Sequence, residues 1–241
     1  MGTRTRSGLN AFLMLLGFMI VGPVISILVS KLKLADDRFF FDEPALAIFL
    51  LVPVLLLVTV TLLLKWREES WRSIGLYRPD DWKNTFFITI LILLADAAII
   101  LFIGPLIFDL LGEQIDTSSF EPVAGNLPGL IGMTIFAWVM GGVAEEIVFR
   151  GYLMTNLAFA FGGEARSWWL AAVVQSLLFS LPHLYQGPAG AIQTGLLGFI
   201  SAIFFMRCGR NLLPLILAHG IVNSIIFAGF YFGISFQELG L

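Results

Sequence analysis

Charged residues are scarce in this chain, which argues against a soluble globular protein. Asp, Glu, Lys and Arg make up 13% of its 241 residues, whereas hydrophobic residues make up 58%. Soluble domains contain about 25% charged and about 45–50% apolar residues. The net charge of −3, without a basic cluster, predicts no nucleic-acid partner. The single cysteine, Cys208, excludes an internal disulfide bond and is predicted to be a free thiol near the membrane edge.

Two common hydrolase motifs are also missing. The pattern G-x-S-x-G does not occur, so no serine nucleophile at a strand-to-helix turn is predicted. The pattern H-E-x-x-H does not occur either, which argues against a zincin site. Any chemistry that needs an imidazole must use the two histidines of the chain, His183 and His219.

Long apolar segments dominate what is present. A membrane-spanning helix needs about 20 apolar residues, and irregular backbone is tolerated in lipid only where protein buries it. We therefore predict an all-α fold, a polytopic transmembrane helix bundle of about seven spans. The first span follows Arg4 and Arg6 without a clear cleavage site, so it is predicted to remain as a helix. The predicted spans are 9–30, 44–64, 85–108, 125–148, 167–185, 189–206 and 211–233.

Basic residues predict the orientation of these spans. With a cytoplasmic N-terminus, the inner segments hold ten of the 14 Lys and Arg residues and the outer segments hold three. We predict an integral, multi-pass protein, in the plasma membrane if the source is bacterial. Two parts are predicted: N-terminal transmembrane helices over 1–124, with a cytoplasmic interfacial linker over 65–84, and a catalytic helix bundle over 125–233. The apolar segment 149–162 is predicted to continue the fourth span past a break near Gly151.

Two adjacent carboxylates, Glu145 and Glu146, lie in the fourth span. An ionisable residue at membrane depth is a functional-site hypothesis by default. On an α-helix, consecutive side chains diverge by about 100°, so these two are predicted to do different jobs. Glu146 and Arg150 have i, i+4 spacing and are predicted to form an ion pair. Glu145 is then left to face a neighbouring helix, with a second contact to Arg150 as the alternative.

Helix lengths predict the depth of Glu145 relative to His183. Seventeen residues separate Glu145 from Gly162 and sixteen separate Ser167 from His183, so both arms of an antiparallel hairpin run about 25 Å. Glu145 and His183 should therefore lie at similar depth. Pro182 interrupts the second arm and predicts a local kink.

The i, i+4 rule predicts further side-chain pairs. Phe179 is one turn before His183, and His219 and Asn223 share one face of the last helix. A carboxylate and a histidine that converge on a water molecule can remove its proton and create a nucleophile. A second histidine and an amide could stabilise a developing oxyanion. These are the parts of a hydrolase that acts on an amide bond.

Three motifs in order carry a resemblance. The segments EEIVFR, FSLPH and HGIVN have the forms EExxxR, FxxxH and HxxxN. Over residues 127–224 the chain resembles the CPBP family of intramembrane proteases, which includes type II CAAX prenyl endopeptidases and Abi-type bacteriocin-immunity proteins. The resemblance implies an intramembrane endopeptidase for a membrane-associated or prenylated-type protein or peptide. It also implies that Glu145 activates water, that His183 assists, and that His219 and Asn223 support the oxyanion.

Several alternatives remain at this stage. We predict no cofactor, with zinc as the alternative, held by Glu145, His183 and His219 as a His₂Glu set. A metal-free mechanism gives Asn223 a role that the zinc mechanism does not. The protein could instead serve bacteriocin self-immunity or act as a scaffold without catalysis. A proton-coupled transporter that uses Asp96, the mid-span acid of the third span, ranks last because no repeated halves occur.

Overall fold

The computed structural model describes residues 43–114, 117, 120 and 123–234. All regular secondary structure in these ranges is helical, so the all-α prediction is confirmed for them. Short 3₁₀ turns occupy Trp71–Ile74 and Leu181–Gln186. The main helices are α1 (Glu43–Trp66), α2 (Trp82–Leu111), α3 (Leu127–Ala160), α4 (Ala165–Ser180), α5 (Gly187–Arg207) and α6 (Leu213–Tyr231).

Four helical stretches within the described residues are long and apolar enough to cross a membrane, so the predicted count of seven is not confirmed. They are Trp82–Leu111, Leu127–Ala160, Ala165–Arg207 and Leu213–Tyr231. The predicted span 9–30 lies outside the described residues. The predicted span 44–64 falls in α1, whose described apolar part, Leu50–Trp66, is shorter than the others.

The stretch Ala165–Arg207 contains two of the predicted spans, and it folds back on itself. The Nε2 atom of Gln175 on α4 donates to the carbonyl of Gly198 on α5 at 3.1 Å. A straight helix would separate these residues by roughly 35 Å. The reversal occurs at Gly187, whose φ of +81° is a conformation that favours glycine. Helices α4 and α5 therefore pack side by side.

Helix α3 shows that the predicted break near Gly151 is wrong. The helix runs without interruption from Leu127 to Ala160, and residues Trp138–Met154 have the wider i→i+5 hydrogen bonds of a π-helix. Gly151 serves close packing instead: a Cβ atom there would lie 2.8 Å from the carbonyl oxygen of Ile74. The segment beyond residue 148 does continue the fourth span, as predicted.

Helix α3 packs against several other helices at once. It contacts α1, α4 and α6. Nearly every residue from Gly141 to Met154 is buried, including three charged ones. By contrast, α2 exposes large apolar side chains such as Phe86, Phe87 and Leu94, as a lipid-facing helix does.

The linker 65–84 docks on the loop between α5 and α6. The hydroxyl of Tyr77 donates to the carbonyl of Gly209 at 3.0 Å, and the N–H of Leu212 donates to the carbonyl of Gly75 at 2.9 Å. Arg67 also donates to the side-chain carbonyl of Asn156 near the end of α3. These polar segments, predicted to be cytoplasmic, thus lie on one side of the bundle.

Candidate active site

The predicted ion pair between Glu146 and Arg150 forms inside α3. The Arg150 Nη1 atom lies 3.0 Å from Glu146 Oε1, and both side chains are 1% exposed. An unpaired charge at such a position would be costly. The same Oε1 atom also lies 2.9 Å from Nδ1 of His219 on α6. Glu146 therefore holds a histidine as well as an arginine.

His219 lies between the two adjacent glutamates. Its Nδ1 atom contacts Glu146, while its Nε2 atom is 3.9 Å from Oε2 of Glu145. The π-helical turn explains how neighbouring side chains can reach one ring. A wider turn holds more residues, so consecutive side chains diverge by less than the roughly 100° of an α-helix. The glutamates differ in accessibility: the Glu145 side chain is 12% exposed and the Glu146 side chain 1%.

Gly141 allows α6 to approach this point. A Cβ atom at Gly141 would lie 2.9 Å from Nδ2 of Asn223 and 3.0 Å from Nε2 of His219. Both side chains of the HxxxN motif therefore reach the backbone of α3 one turn before Glu145. The Trp138 Nε1 atom donates to the hydroxyl of Ser224 at 3.0 Å, which fixes the same helix pair further along.

His183 joins this cluster through Phe179. The guanidinium of Arg150 lies 4.3 Å from the centre of the Phe179 ring, and the rings of Phe179 and His183 are 5.0 Å apart. The His183 Nδ1 atom bonds to the Phe179 carbonyl at 2.8 Å, which leaves Nε2 free of that bond. Pro182 is the second residue of the 3₁₀ turn Leu181–Gln186, where the sequence predicts a kink.

The depth argument for the hairpin agrees with one further contact. The rings of Phe149 and Phe179 lie 4.9 Å apart, edge to face. Glu145 is four residues from Phe149, and His183 is four residues from Phe179 on the facing helix. No direct contact between Glu145 and His183 occurs in the described structure.

The metal alternative needs Glu145, His183 and His219 to converge on one ion. Within the described residues, no group of three His, Cys, Asp or Glu side chains is placed so that it could hold a metal ion. Glu146 and the Phe179 carbonyl bond the Nδ1 atoms of His219 and His183, so only the Nε2 atoms of these rings are available to a metal. As placed, these residues do not fit a His₂Glu zinc site, and we derive no step through a metal.

Sequence reasoning missed the contribution of three residues. Gly141 and Gly198 leave room for the site, since a Cβ atom at Gly198 would lie 2.9 Å from the Phe179 ring. Small residues where helices cross are a known feature of membrane bundles and were the available signal. Asp96 had no predicted partner, and its helix α2 packs against α6, which carries His219 and Asn223. Nothing in the sequence indicates that α2 and α6 are adjacent.

One of the comparisons with known proteins finds a match, and it covers the segment that contains this site. No curated protein and no solved structure matches the chain. A protein family does match residues 127–225, which run from the start of α3 into α6 and contain Glu145, His183, His219 and Asn223. The match agrees with the resemblance predicted from the three motifs: residues 127–225 of this chain are similar to the type II CAAX prenyl endopeptidase Rce1-like family.

Proposed function

We propose that this protein is an intramembrane endopeptidase that hydrolyses a peptide bond with a water molecule activated by Glu145. The observation that carries this proposal is the placement of Glu145 beside Nε2 of His219, at 3.9 Å, in the segment that matches a protease family. Among the described residues, Glu145 has no arginine partner, and it is more accessible than Glu146. It is therefore the carboxylate that is able to bind a water molecule.

The reaction begins with proton transfer. The Glu145 carboxylate removes a proton from water, with help from His183, and the water oxygen attacks the carbonyl carbon of the scissile bond. A tetrahedral intermediate with a negative oxygen results. Glu145 then passes the proton to the leaving nitrogen as the C–N bond breaks, so protons balance over the cycle. The products are a carboxylic acid and an amine, which leave as a carboxylate and an ammonium ion.

His219 and Asn223 support the oxyanion in this mechanism. The Asn223 Nδ2 group is a hydrogen-bond donor in every state. The His219 Nδ1 atom faces a carboxylate oxygen of Glu146 at 2.9 Å, so a ring proton on Nδ1 fits there. The Nε2 atom donates a second hydrogen bond when the ring carries two protons. Donors held in place before the reaction cost no reorganisation when charge develops.

The substrate class follows from the surroundings of the site. Leu181, Leu184 and Tyr185 next to His183 are exposed at the bundle surface. A substrate that enters there must itself associate with lipid. We propose a membrane-associated or prenylated-type protein or peptide. No observation in the described part of the chain favours the immunity or transport interpretations.

Cleavage of a membrane-tethered peptide library by the purified full chain in liposomes tests this function. Glu145→Gln and His183→Ala are expected to lose at least about 100-fold in kcat/KM. Glu164→Gln, an exposed glutamate in the turn before α4, serves as the matched control and should cleave like wild type. A zinc chelator should leave the rate unchanged.

Three results would contradict the proposal. Full activity in Glu145→Gln would remove the proposed base. Activity lost on chelation and restored by zinc would replace the metal-free mechanism. Absence of cleavage by wild type across prenylated and unprenylated membrane peptides would count against an endopeptidase of this substrate class.

A further inference from the structure

Asp96 is a buried acid in the middle of α2 that the proposed mechanism does not use. It is 6% exposed. Its Oδ1 atom has no hydrogen-bond partner among the described residues. A buried carboxylate in a membrane helix is costly unless its charge is compensated or used. No cation lies on its own helix α2 after Lys83 at the helix start, so any compensating cation belongs to a neighbouring helix.

The face of α2 that carries Asp96 is turned towards α6. The hydroxyl of Thr89 lies 3.4 Å from the carbonyl of Pro214, in the first turn of α6. Asp96 is seven residues after Thr89, two turns along the same face and about 10 Å further along the helix. Thr85 and Pro214, near the two helix starts, line one pocket, so α2 and α6 run in the same direction.

This register brings Asp96 to the level of His219. His219 is five residues after Pro214 and therefore lies about 7.5 Å along α6 from the point where Thr89 touches it. Helices α2 and α6 pack against each other. The register thus places Asp96, on a third helix, at about the level of the imidazole that lies between the two glutamates of α3.

A third acid near His219 has a use in the proposed chemistry. The oxyanion role of Nε2 requires a positively charged ring, and Arg150 opposes that charge from the other side of Glu146. Negative groups around the imidazole stabilise its positive form by Coulomb attraction, which is stronger in a site of low polarity than in water. Glu146 contacts both His219 and Arg150, so its single negative charge does not fully compensate the positive charge of the His219 ring.

We propose that Asp96 is a positioning residue of this site, which acts through His219 and holds the charged ring ready to donate to the oxyanion. This inference rests on the proposed function. It names a residue outside the matched segment 127–225, and it predicts that α2 contributes to the site.

Kinetics of the full chain in liposomes provide the first test. Asp96→Asn keeps the shape and removes the charge, and it should lower kcat about tenfold with KM within about twofold, less than the loss of an oxyanion donor. In a His219→Gln background the same change should have no further effect, because the two residues act as one unit. Asp109→Asn, an exposed acid on the same helix, is the matched control.

Imidazole NMR provides a second test that does not need activity. The chain has only two histidines, so ¹⁵N-histidine labelling in detergent gives two rings, assigned with His183→Gln. Asp96→Asn should shift the ¹⁵N signals of His219 and leave those of His183 in place, which also shows that the fold is intact. The Asp109→Asn control should shift neither.

Two outcomes would overturn the inference. One is a His219 signal in Asp96→Asn that moves no more than in Asp109→Asn. The other is an equal shift of both histidines, which would mean a general change in packing. If wild type cleaves nothing, the proposed function fails, while the NMR comparison still decides whether Asp96 acts on His219.

Discussion

Glu145 and Glu146 are chemically identical neighbours that the structure separates by their contacts. Glu146 is fully enclosed and binds both Arg150 and His219 through one oxygen atom. Glu145 keeps a longer contact to His219 and some accessibility. A buried ion whose partner is removed costs much more than an accessible one. Stability should therefore depend on Glu146 and activity on Glu145.

Exchange of each glutamate for glutamine tests this division. Glu146→Gln should lower the free energy of unfolding by about 3–5 kcal/mol, because Arg150 is left as an unpaired buried charge. Glu145→Gln should change it by less than about 1 kcal/mol. Unfolding of both variants in the same detergent gives the comparison. Equal losses would contradict the assignment of the structural charge to Glu146.

Gly141 is a second position where a single added Cβ atom would disturb the site. Gly141→Ala would put a Cβ atom within 3.0 Å of both the Asn223 amide and the His219 ring, so at least one must move. We expect kcat to fall about 100-fold or more, as after loss of an oxyanion donor. Gly195→Ala, where the new Cβ atom would lie 3.3 Å from the Cβ atom of Ser180, is the control. Equal activities would show that the helices adjust without cost.

At the scale of the element, the reversal between α4 and α5 sets the position of His183. The turn Leu181–Gln186 carries His183, and the next helix begins at Gly187. The carboxylate of Glu113, which follows α2, accepts from the N–H of Ala189 at 2.9 Å and thereby caps α5. A carboxylate at a helix N-terminus satisfies an unpaired donor and the helix dipole together.

Loss of this cap should loosen the turn more than it loosens the bundle. Glu113→Ala is expected to lower stability by about 1 kcal/mol and to increase amide exchange in residues 183–189. Asp109→Ala removes a nearby exposed acid and should do neither. Hydrogen exchange followed by mass spectrometry measures both. Unchanged protection of residues 183–189 in Glu113→Ala would exclude the cap as the support of the turn.

At the scale of the whole molecule, the docked linker shows which segments share one end of the bundle. Residues 65–84 and 208–212 share one end of the bundle, while Gln114 follows the far end of α2. Cys208 lies at the linker end, where burial raises the pKa of its thiol. A thiol reacts as the thiolate, so Cys208 should react slowly at neutral pH and faster as the pH rises.

Cysteine labelling tests the predicted orientation. In a Cys208→Ser background, Ser73→Cys and Gln114→Cys place exposed thiols at opposite ends of α2. With a cytoplasmic N-terminus, an impermeant maleimide added outside intact cells should label residue 114 and should label residue 73 only after lysis. The reverse pattern would overturn the orientation derived from basic residues.

The sequence predicted much of this site but not all of its geometry. The i, i+4 spacing was enough for the Glu146–Arg150 pair, because both residues lie on one helix. Spacing was not enough to predict the role of Gly151. The sequence indicated a helix break there, whereas Gly151 lets the Ile74 carbonyl approach the backbone of α3. Nor did it indicate the π-helical turns of Trp138–Met154, through which both glutamates reach His219.

The sequence by itself determined the helical class, the apolar segments, the acidic pair and the three motifs. These depend on composition and on contacts within one turn of helix, which short-range spacing encodes. Only the tertiary structure decided that Glu146 holds His219, that α4 and α5 fold back at Gly187, and that the helix of Asp96 packs against α6. Those facts depend on which helices are adjacent. Packing of small residues such as Gly141 determines adjacency, and no local spacing records it.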